Sequence, residues 1–186
     1  MENAMWVADR WREQGWDQVH LVPYQVLLSY PKNDTPNLVS VLDESGVEMW
    51  TSQGWQDPLY APEEFSSEIL PNFNAFSAPG QVEGDVVYAY FGRQEDFDLL
   101  ESLGVQIAGR IVLARYGEIF RGNIAATAER LGAVGLVLYA DPQQYAPLGE
   151  EAVYPNTVYM PPSGAADGSV FLDNGDPLTQ FYPAIS

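Results

Sequence analysis

Between residues 85 and 140 the chain alternates between strand-like and helix-like segments, and this alternation constrains its fold more than any other feature. Continuous apolar, β-branched runs predict strands, and segments closed by a following glycine, Gly104 or Gly132, predict helices. The predicted elements are strand 85–91, helix 95–103, strand 110–115, helix 124–131 and strand 135–140. Strands joined in this way by helices are typical of an α/β fold with at least part of its sheet parallel.

The flanking residues have a different character. The segment 52–80 contains four prolines and little periodicity, which indicates a long irregular loop or linker. Three further elements are predicted before it: an amphipathic helix over 2–14, a strand over 18–29 and a hairpin that pairs 38–42 with 47–51.

The composition excludes several function classes. A formal charge of −18, from 26 acidic and eight basic residues, repels phosphate backbones and anionic lipid, so we expect neither nucleic-acid binding nor direct membrane contact. The chain has no cysteine and a single histidine, His20, which excludes a cysteine nucleophile and a His-rich metal centre. We interpret His20 as structural. The residues alone therefore predict a non-catalytic domain.

Arg121 is the one basic residue in a position that suggests binding. It lies at a junction between a predicted strand and a predicted helix, where Asn123 has the character of a helix N-cap. A guanidinium beside the positive end of a helix can bind an anion. Local pattern alone favours the other interpretation, a surface arginine paired with one of the 26 carboxylates, and both interpretations stay open at this point.

Several short motifs occur in an order known from one family. They are Val26–Pro31, Phe76–Gly80, Arg115–Gly117, Phe120–Asn123, Ala133–Pro142 and Gly175–Thr179. In this order they resemble the glutamate carboxypeptidase II (prostate-specific membrane antigen) branch of zinc peptidases, which also contains the transferrin receptors. The similarity spans nearly all 186 residues.

The resemblance implies a domain organisation. Residues 1–30 would be an incomplete N-terminal helix and strand of the peptidase domain, and residues 31–186 the protease-associated, or apical, domain. That domain would be of mixed α/β type, with a central mixed sheet or barrel flanked by short helices. The zinc ligands and the general-base glutamate follow later in the family's sequences, so we expect this chain to be inactive alone.

The resemblance also implies site residues. Phe120 and Arg121 match the family's Phe-Arg pair, in which the arginine binds a carboxylate of the substrate's C-terminal residue. Ser169 takes the place of a substrate-binding asparagine, which puts a preference for glutamate in doubt. Backbone oxygens of Thr179 and Tyr182 match a partial calcium site. The intact parent would hold two zinc ions and this calcium, whereas the chain itself would hold no cofactor.

The expected partners are the remaining peptidase and dimerisation domains of a homodimeric parent, together with its peptide substrate. Asn33 heads a glycosylation tripeptide, Asn33-Asp34-Thr35, which suits an extracellular or cell-surface parent. The alternative function is a transferrin-receptor-like binding module without catalysis, whose partner contacts would include Trp55, Tyr60 and Phe65. The presence of Phe120-Arg121 favours the peptidase.

Two structural expectations follow from this interpretation. The apolar side chains of the first helix, among them Met5 and Trp11, should lack a covering partner and favour self-association or disorder. Arg121 should lie at the domain edge without a saturating carboxylate.

Overall fold

The computed structural model describes residues 2–23, 28–59, 65, 69–75, 77, 79–166, 168–170 and 172. The chain divides into two compact units, one containing Met1–Leu28 and Asp173–Ser186, the other Ser29–Leu172. The assignment of the first 30 residues to a peptidase domain remains a prediction.

Helix α1, Glu2–Glu13, confirms the predicted N-terminal helix. Its two basic residues form i,i+3 ion pairs on the surface, which support the helix without burying area. Ala8 is its only buried residue, while Met5 and Trp11 are about half exposed. The larger apolar side chains of α1 are therefore exposed, and self-association through them stays a prediction.

The prediction of a strand over 18–29 is wrong for the described residues of this segment. Residues 18–23 and 28–29 have no strand structure, and the part between them lies outside the described residues. A strand requires a neighbour to accept its backbone hydrogen bonds. The described part of the chain supplies no such neighbour, so the apolar, β-branched composition does not by itself produce a strand here.

The predicted hairpin is confirmed. Strand β1, Ser40–Leu42, pairs antiparallel with β2, Glu48–Thr51. The turn between them is closed by the Asp43 carboxylate, which accepts hydrogen bonds from the backbone N–H groups of Ser45 (2.8 Å) and Val47 (2.9 Å).

A parallel sheet of three strands forms the centre of the second unit, in the order β3-β4-β5. Its elements in chain order are β3 (Val86–Tyr88), α2 (Gln94–Ser102), β4 (Ile111–Arg115), α3 (Arg121–Arg130) and β5 (Gly135–Tyr139). A short helix, α4 (Pro142–Tyr145), and a 3-10 turn (Glu150–Ala152) follow. The mixed α/β class with small sheets and short helices is confirmed, and the described strands form two separate sheets.

The core lies where α2 and α3 pack on β4. Val112 and Ala114 alternate along β4 and form one buried cluster with Phe97 of α2 and Ile124 and Ala128 of α3. Phe97 is the largest of these fully buried side chains. Because the helices are anchored to the central strand in this way, the loop from β4 to α3 starts and ends at fixed points.

All five tryptophans lie outside this core. Their exposed fractions run from 37% for Trp55 to 66% for Trp16, with Trp6, Trp11 and Trp50 in between. The cluster on β4 is instead built from Val, Ile, Phe and Ala side chains.

Helix α3 begins earlier than its sequence suggests. Arg121 is its first residue and Phe120 its N-cap, without a side-chain capping bond, so the prediction of Asn123 as N-cap is wrong. The start is set by close packing at Gly122. A Cβ there would lie 2.7 Å from the Val170 carbonyl oxygen and 2.6 Å from the Phe120 ring. Tertiary contact thus overrides the local capping preference.

Candidate functional site

The candidate site lies at the carboxyl end of the parallel sheet, where ligand sites of open α/β sheets commonly form. A short turn after β4 leads directly into α3. It requires positive φ at Gly117 (116°) and at Glu118 (61°), an uncommon conformation for a residue with a side chain. Gly117 also packs against the Phe91 ring and the Gln144 side chain. This turn delivers Phe120 and Arg121 to the start of α3.

Arg121 is half-buried and held by two neighbours. Its guanidinium carbon lies 5.2 Å from the centre of the Phe120 ring. On its other side the guanidinium lies against Gly168, so closely that a Cβ at that position would overlap it. Ser169 is half-buried between Gly168 and Val170, the two residues that contact the start of α3. The structure therefore brings Phe120, Arg121 and Ser169 into one neighbourhood.

Arg121 has no carboxylate partner among the described residues. Arg10, Arg12, Arg93, Arg110 and Arg115 each form an ion pair there, and Arg130 donates a hydrogen bond to Gln94. The Nε–H group of Arg121 is buried and donates no hydrogen bond to any atom of the described residues. Buried N–H donors normally have a hydrogen-bond acceptor, and a bound ligand can supply the acceptor that is missing here. The expectation that Arg121 lacks a saturating carboxylate stays a prediction, and its side chain is half-buried.

Arg121 lines a cavity of about 720 Å³ within the second unit. Its polar lining includes three asparagines, Asn37, Asn72 and Asn74. Among the described lining residues the only charged ones are Arg121 and Lys32, and both are positive. In a chain of net charge −18, such a lining selects for an anion.

A second group of polar residues joins the ends of all three parallel strands, and no sequence motif indicated it. Arg115, at the end of β4, lies 3.4 Å from the Asp141 carboxylate and stacks 4.4 Å above the Phe91 ring. The Tyr139 hydroxyl donates to Asp141 (3.2 Å) and shares a hydrogen bond with Tyr88 (3.1 Å). The feature of the sequence that could have indicated this group is the position of Arg115 and Tyr139, each at the end of a predicted strand.

Tyr139 stays protonated within this group. Burial, reinforced by the hydrogen bond with Tyr88 and the negative charge of Asp141, raises the pKa of the Tyr139 phenol well above its usual range. The neutral phenol can therefore donate to Asp141 at every pH near neutrality. Asp141 also accepts the Gln143 N–H (2.9 Å) and so caps α4. The group fixes α4, whose Gln144 touches the turn before Arg121.

The remaining predicted site residues are placed differently. Asn33 is exposed in a turn, where an enzyme could reach it, and its glycosylation stays a prediction. Thr179 and Tyr182, predicted to contribute to a calcium site, lie outside the described residues. Within the described ranges no group of three or more His, Cys, Asp or Glu residues could hold a metal ion. No helix in the same ranges is long and apolar enough to cross a membrane.

Gly168 offers a direct test of how Arg121 is held. We expect Gly168→Ala to displace the guanidinium and to lower the free energy of unfolding by about 1–3 kcal/mol, because the residue has φ of 149° and no room for a Cβ. Nuclear magnetic resonance of the Arg121 Nε–H group should show the displacement. Gly80→Ala, where no atom lies within 4 Å of the added Cβ, is the matched control. An unchanged Arg121 signal in Gly168→Ala would contradict the packing.

Comparison with known proteins places the chain in context. A family model described as the PA domain matches residues 82–171. The chain is 40% identical over 181 residues to a glutamate carboxypeptidase 2 homolog of Caenorhabditis briggsae, covering 96% of the chain and 23% of that relative. It is 37% identical to the aminopeptidase NAALADL1 of Rattus norvegicus (94% and 24% covered) and 31% identical to transferrin receptor protein 2 of Homo sapiens (93% and 19% covered). The chain thus spans a quarter or less of each relative's length.

Proposed function

Since residues 82–171 match the PA-domain family and 96% of the chain is similar to a glutamate carboxypeptidase 2 homolog, we propose that this chain forms one wall of a peptidase substrate cleft and binds a substrate carboxylate through Arg121. The observation that carries the proposal is an arginine without a carboxylate partner among the described residues, facing a cavity whose described lining contains no acidic side chain.

The chemistry of Arg121 suits this role. A guanidinium presents planar N–H donors that match the two oxygens of a carboxylate, and such bidentate pairs are both strong and directional. The Phe120 ring and Gly168 restrict the side chain, so little conformational freedom is lost when a ligand binds. The first turn of α3 adds the partial positive charge of a helix N-terminus. Ser169 would contribute one hydroxyl at the edge of this site.

Catalysis would come from other parts of a larger protein. The described residues do not fit a zinc site, so we derive no catalytic step from them. In the proposed parent, residues elsewhere in the protein would hold two zinc ions, which would supply the Lewis-acid chemistry of hydrolysis. This chain would bind and orient the substrate. The parent would be a homodimer at the cell surface or outside the cell, with further peptidase and dimerisation domains, a structural calcium and a glycan on Asn33.

Arg121→Ala tests the proposal in the longer peptidase. We expect kcat/KM to fall by about 30-fold or more, because losing one member of a hydrogen-bonded charge pair costs about 2–5 kcal/mol of binding. In the isolated chain the same change should alter the free energy of unfolding by only about 1 kcal/mol, since no ion pair among the described residues is lost.

Arg110→Ala is the control for the removed charge. Arg110 forms its ion pair with Asp85 near the amino-terminal end of β3, away from the carboxyl ends of the strands. It should leave kcat/KM unchanged. If both variants reduce kcat/KM equally, or if neither does, Arg121 has no specific role in substrate binding.

The alternative function is a binding module without catalysis, as the similarity to transferrin receptor protein 2 allows. The exposed Trp55 and Phe65 side chains favour it, whereas Tyr60 lies outside the described residues. In that case Trp55→Ala or Phe65→Ala would weaken partner binding and Arg121→Ala would have no effect.

A further inference from the structure

Lys32 lines the same cavity as Arg121, and together they are its only charged residues among those described. We propose that Lys32 is a second binding residue for the anion that Arg121 holds, so that a carboxylate-bearing ligand enters past Lys32 and its charge is shared by two cations. The inference rests on the proposed function of Arg121, and it assigns a role to a residue that no motif indicated.

Charge distribution is the first argument. Lys32 is the only lysine in a chain with 26 acidic residues, and yet it lies on the cavity that also contains the arginine without a described carboxylate partner. None of the ion pairs among the described residues involves Lys32, and Lys32 is a lining residue of the cavity. Two like charges on one concave surface raise the local concentration of anions.

The two cations differ in depth and in chemistry. Arg121 is half-buried, and its planar donors suit a fixed carboxylate, whereas Lys32 is exposed. An ammonium on a flexible stem can follow a ligand as it enters. We therefore expect Lys32 to act mainly by attraction at long range, an effect that salt reduces strongly.

Neutral polar groups complete the lining. Asn37, Asn72 and Asn74 line the cavity, and the Asn37 amide donates to the Asn72 carbonyl (3.2 Å), which fixes its orientation. Thr35 adds a hydroxyl near Lys32. Such groups suit the peptide part of a ligand, which carries both donors and acceptors.

The unique lysine makes a chemical protection experiment possible. The isolated chain is acetylated with limiting reagent, and mass spectrometry compares Lys32 with the amino terminus, which serves as internal control. The probes are N-acetyl-Ala-Ala with a free carboxylate and the same dipeptide as its C-terminal amide. We expect the free acid to slow acetylation of Lys32 several-fold and the amide to have no effect. The amino terminus should react equally with both.

Variants separate this inference from the proposed function. Lys32→Met should weaken binding of N-acetyl-Ala-Ala by about three- to tenfold at low salt and less at high salt, as measured from the Arg121 Nε–H resonance. Arg110→Met, which removes the same charge elsewhere, should have no effect. If binding depends on Arg121 but not on Lys32, and Lys32 is not protected, the inference is overturned while the proposed function stands. If Lys32 is protected equally in Arg121→Ala, the inference that the two cations share one anion is wrong. If the chain binds neither dipeptide, the inference that two cations in this cavity bind one anion is overturned. The role of Arg121 is then decided by the kcat/KM of Arg121→Ala in the longer peptidase.

Discussion

Phe97→Ala should lower the free energy of unfolding of this chain by about 3–5 kcal/mol, the usual loss when a buried aromatic side chain is removed from a core. Phe97 is only 1% exposed, and it packs with Val112 of β4 and Ile124 of α3. These side chains belong to three different elements. They can close the resulting cavity only if a helix moves towards the sheet, which their other packing contacts resist, so the loss should fall in the upper part of the range.

Chemical denaturation followed by far-ultraviolet circular dichroism measures this effect. Leu99→Ala is the matched control, because Leu99 lies on the same helix and is 59% exposed. It should change the free energy of unfolding by about 0.5 kcal/mol or less. A loss below about 1 kcal/mol for Phe97→Ala would mean that α2 does not pack on β4 as described.

Arg115→Ala should cost about 3 kcal/mol, because it removes the buried arginine of an ion pair and leaves a partly buried carboxylate in place. Arg115 is 7% exposed, pairs with Asp141 and stacks on the Phe91 ring. Without it, the Asp141 carboxylate retains its hydrogen bonds from Tyr139 and Gln143 but no opposite charge among the described residues.

A control variant and a double variant test this prediction. Arg130→Ala removes an exposed arginine whose partner is the neutral Gln94, so it should cost about 0.5 kcal/mol or less. In the double variant that combines Arg115→Ala with Asp141→Asn, part of the loss should be recovered, because asparagine can still cap α4 and carries no charge. If Arg115→Ala is no more harmful than Arg130→Ala, the ion pair does not contribute to stability.

The regular elements were largely predictable because their signals are local. Strand β4 and helix α3 follow from a continuous apolar run and from an Ala-rich segment before Gly132, and each was predicted to within a few residues. The start of α3 was not, since it depends on Val170, about 50 residues away in the sequence. The strand predicted over 18–29 failed for the same reason: its formation depends on a neighbouring strand, and the composition of a segment does not indicate whether such a neighbour exists.

The candidate site was predictable only in part. The Phe120-Arg121 motif was found through its resemblance to a family, and the structure adds the cavity that it faces. Lys32 could not be found in this way, since it lies in an unremarkable Pro-Lys-Asn segment. Its relation to Arg121 arises only when residues about 90 positions apart line one cavity. The pairing of Arg115 with Asp141 likewise requires that β4 and β5 lie side by side.

The position of the tryptophans has a practical consequence for all of these measurements. Because all five indole rings are at least about a third exposed, their emission should already resemble that of tryptophan in water while the protein is folded. Unfolding of the sheet and its helices would then shift the fluorescence maximum very little. A fluorescence melt could report a stable protein after the core has opened, or no transition at all, so backbone signals must be used to follow unfolding. Conversely, a blue shift on adding another protein would report directly that one of these exposed rings has been covered.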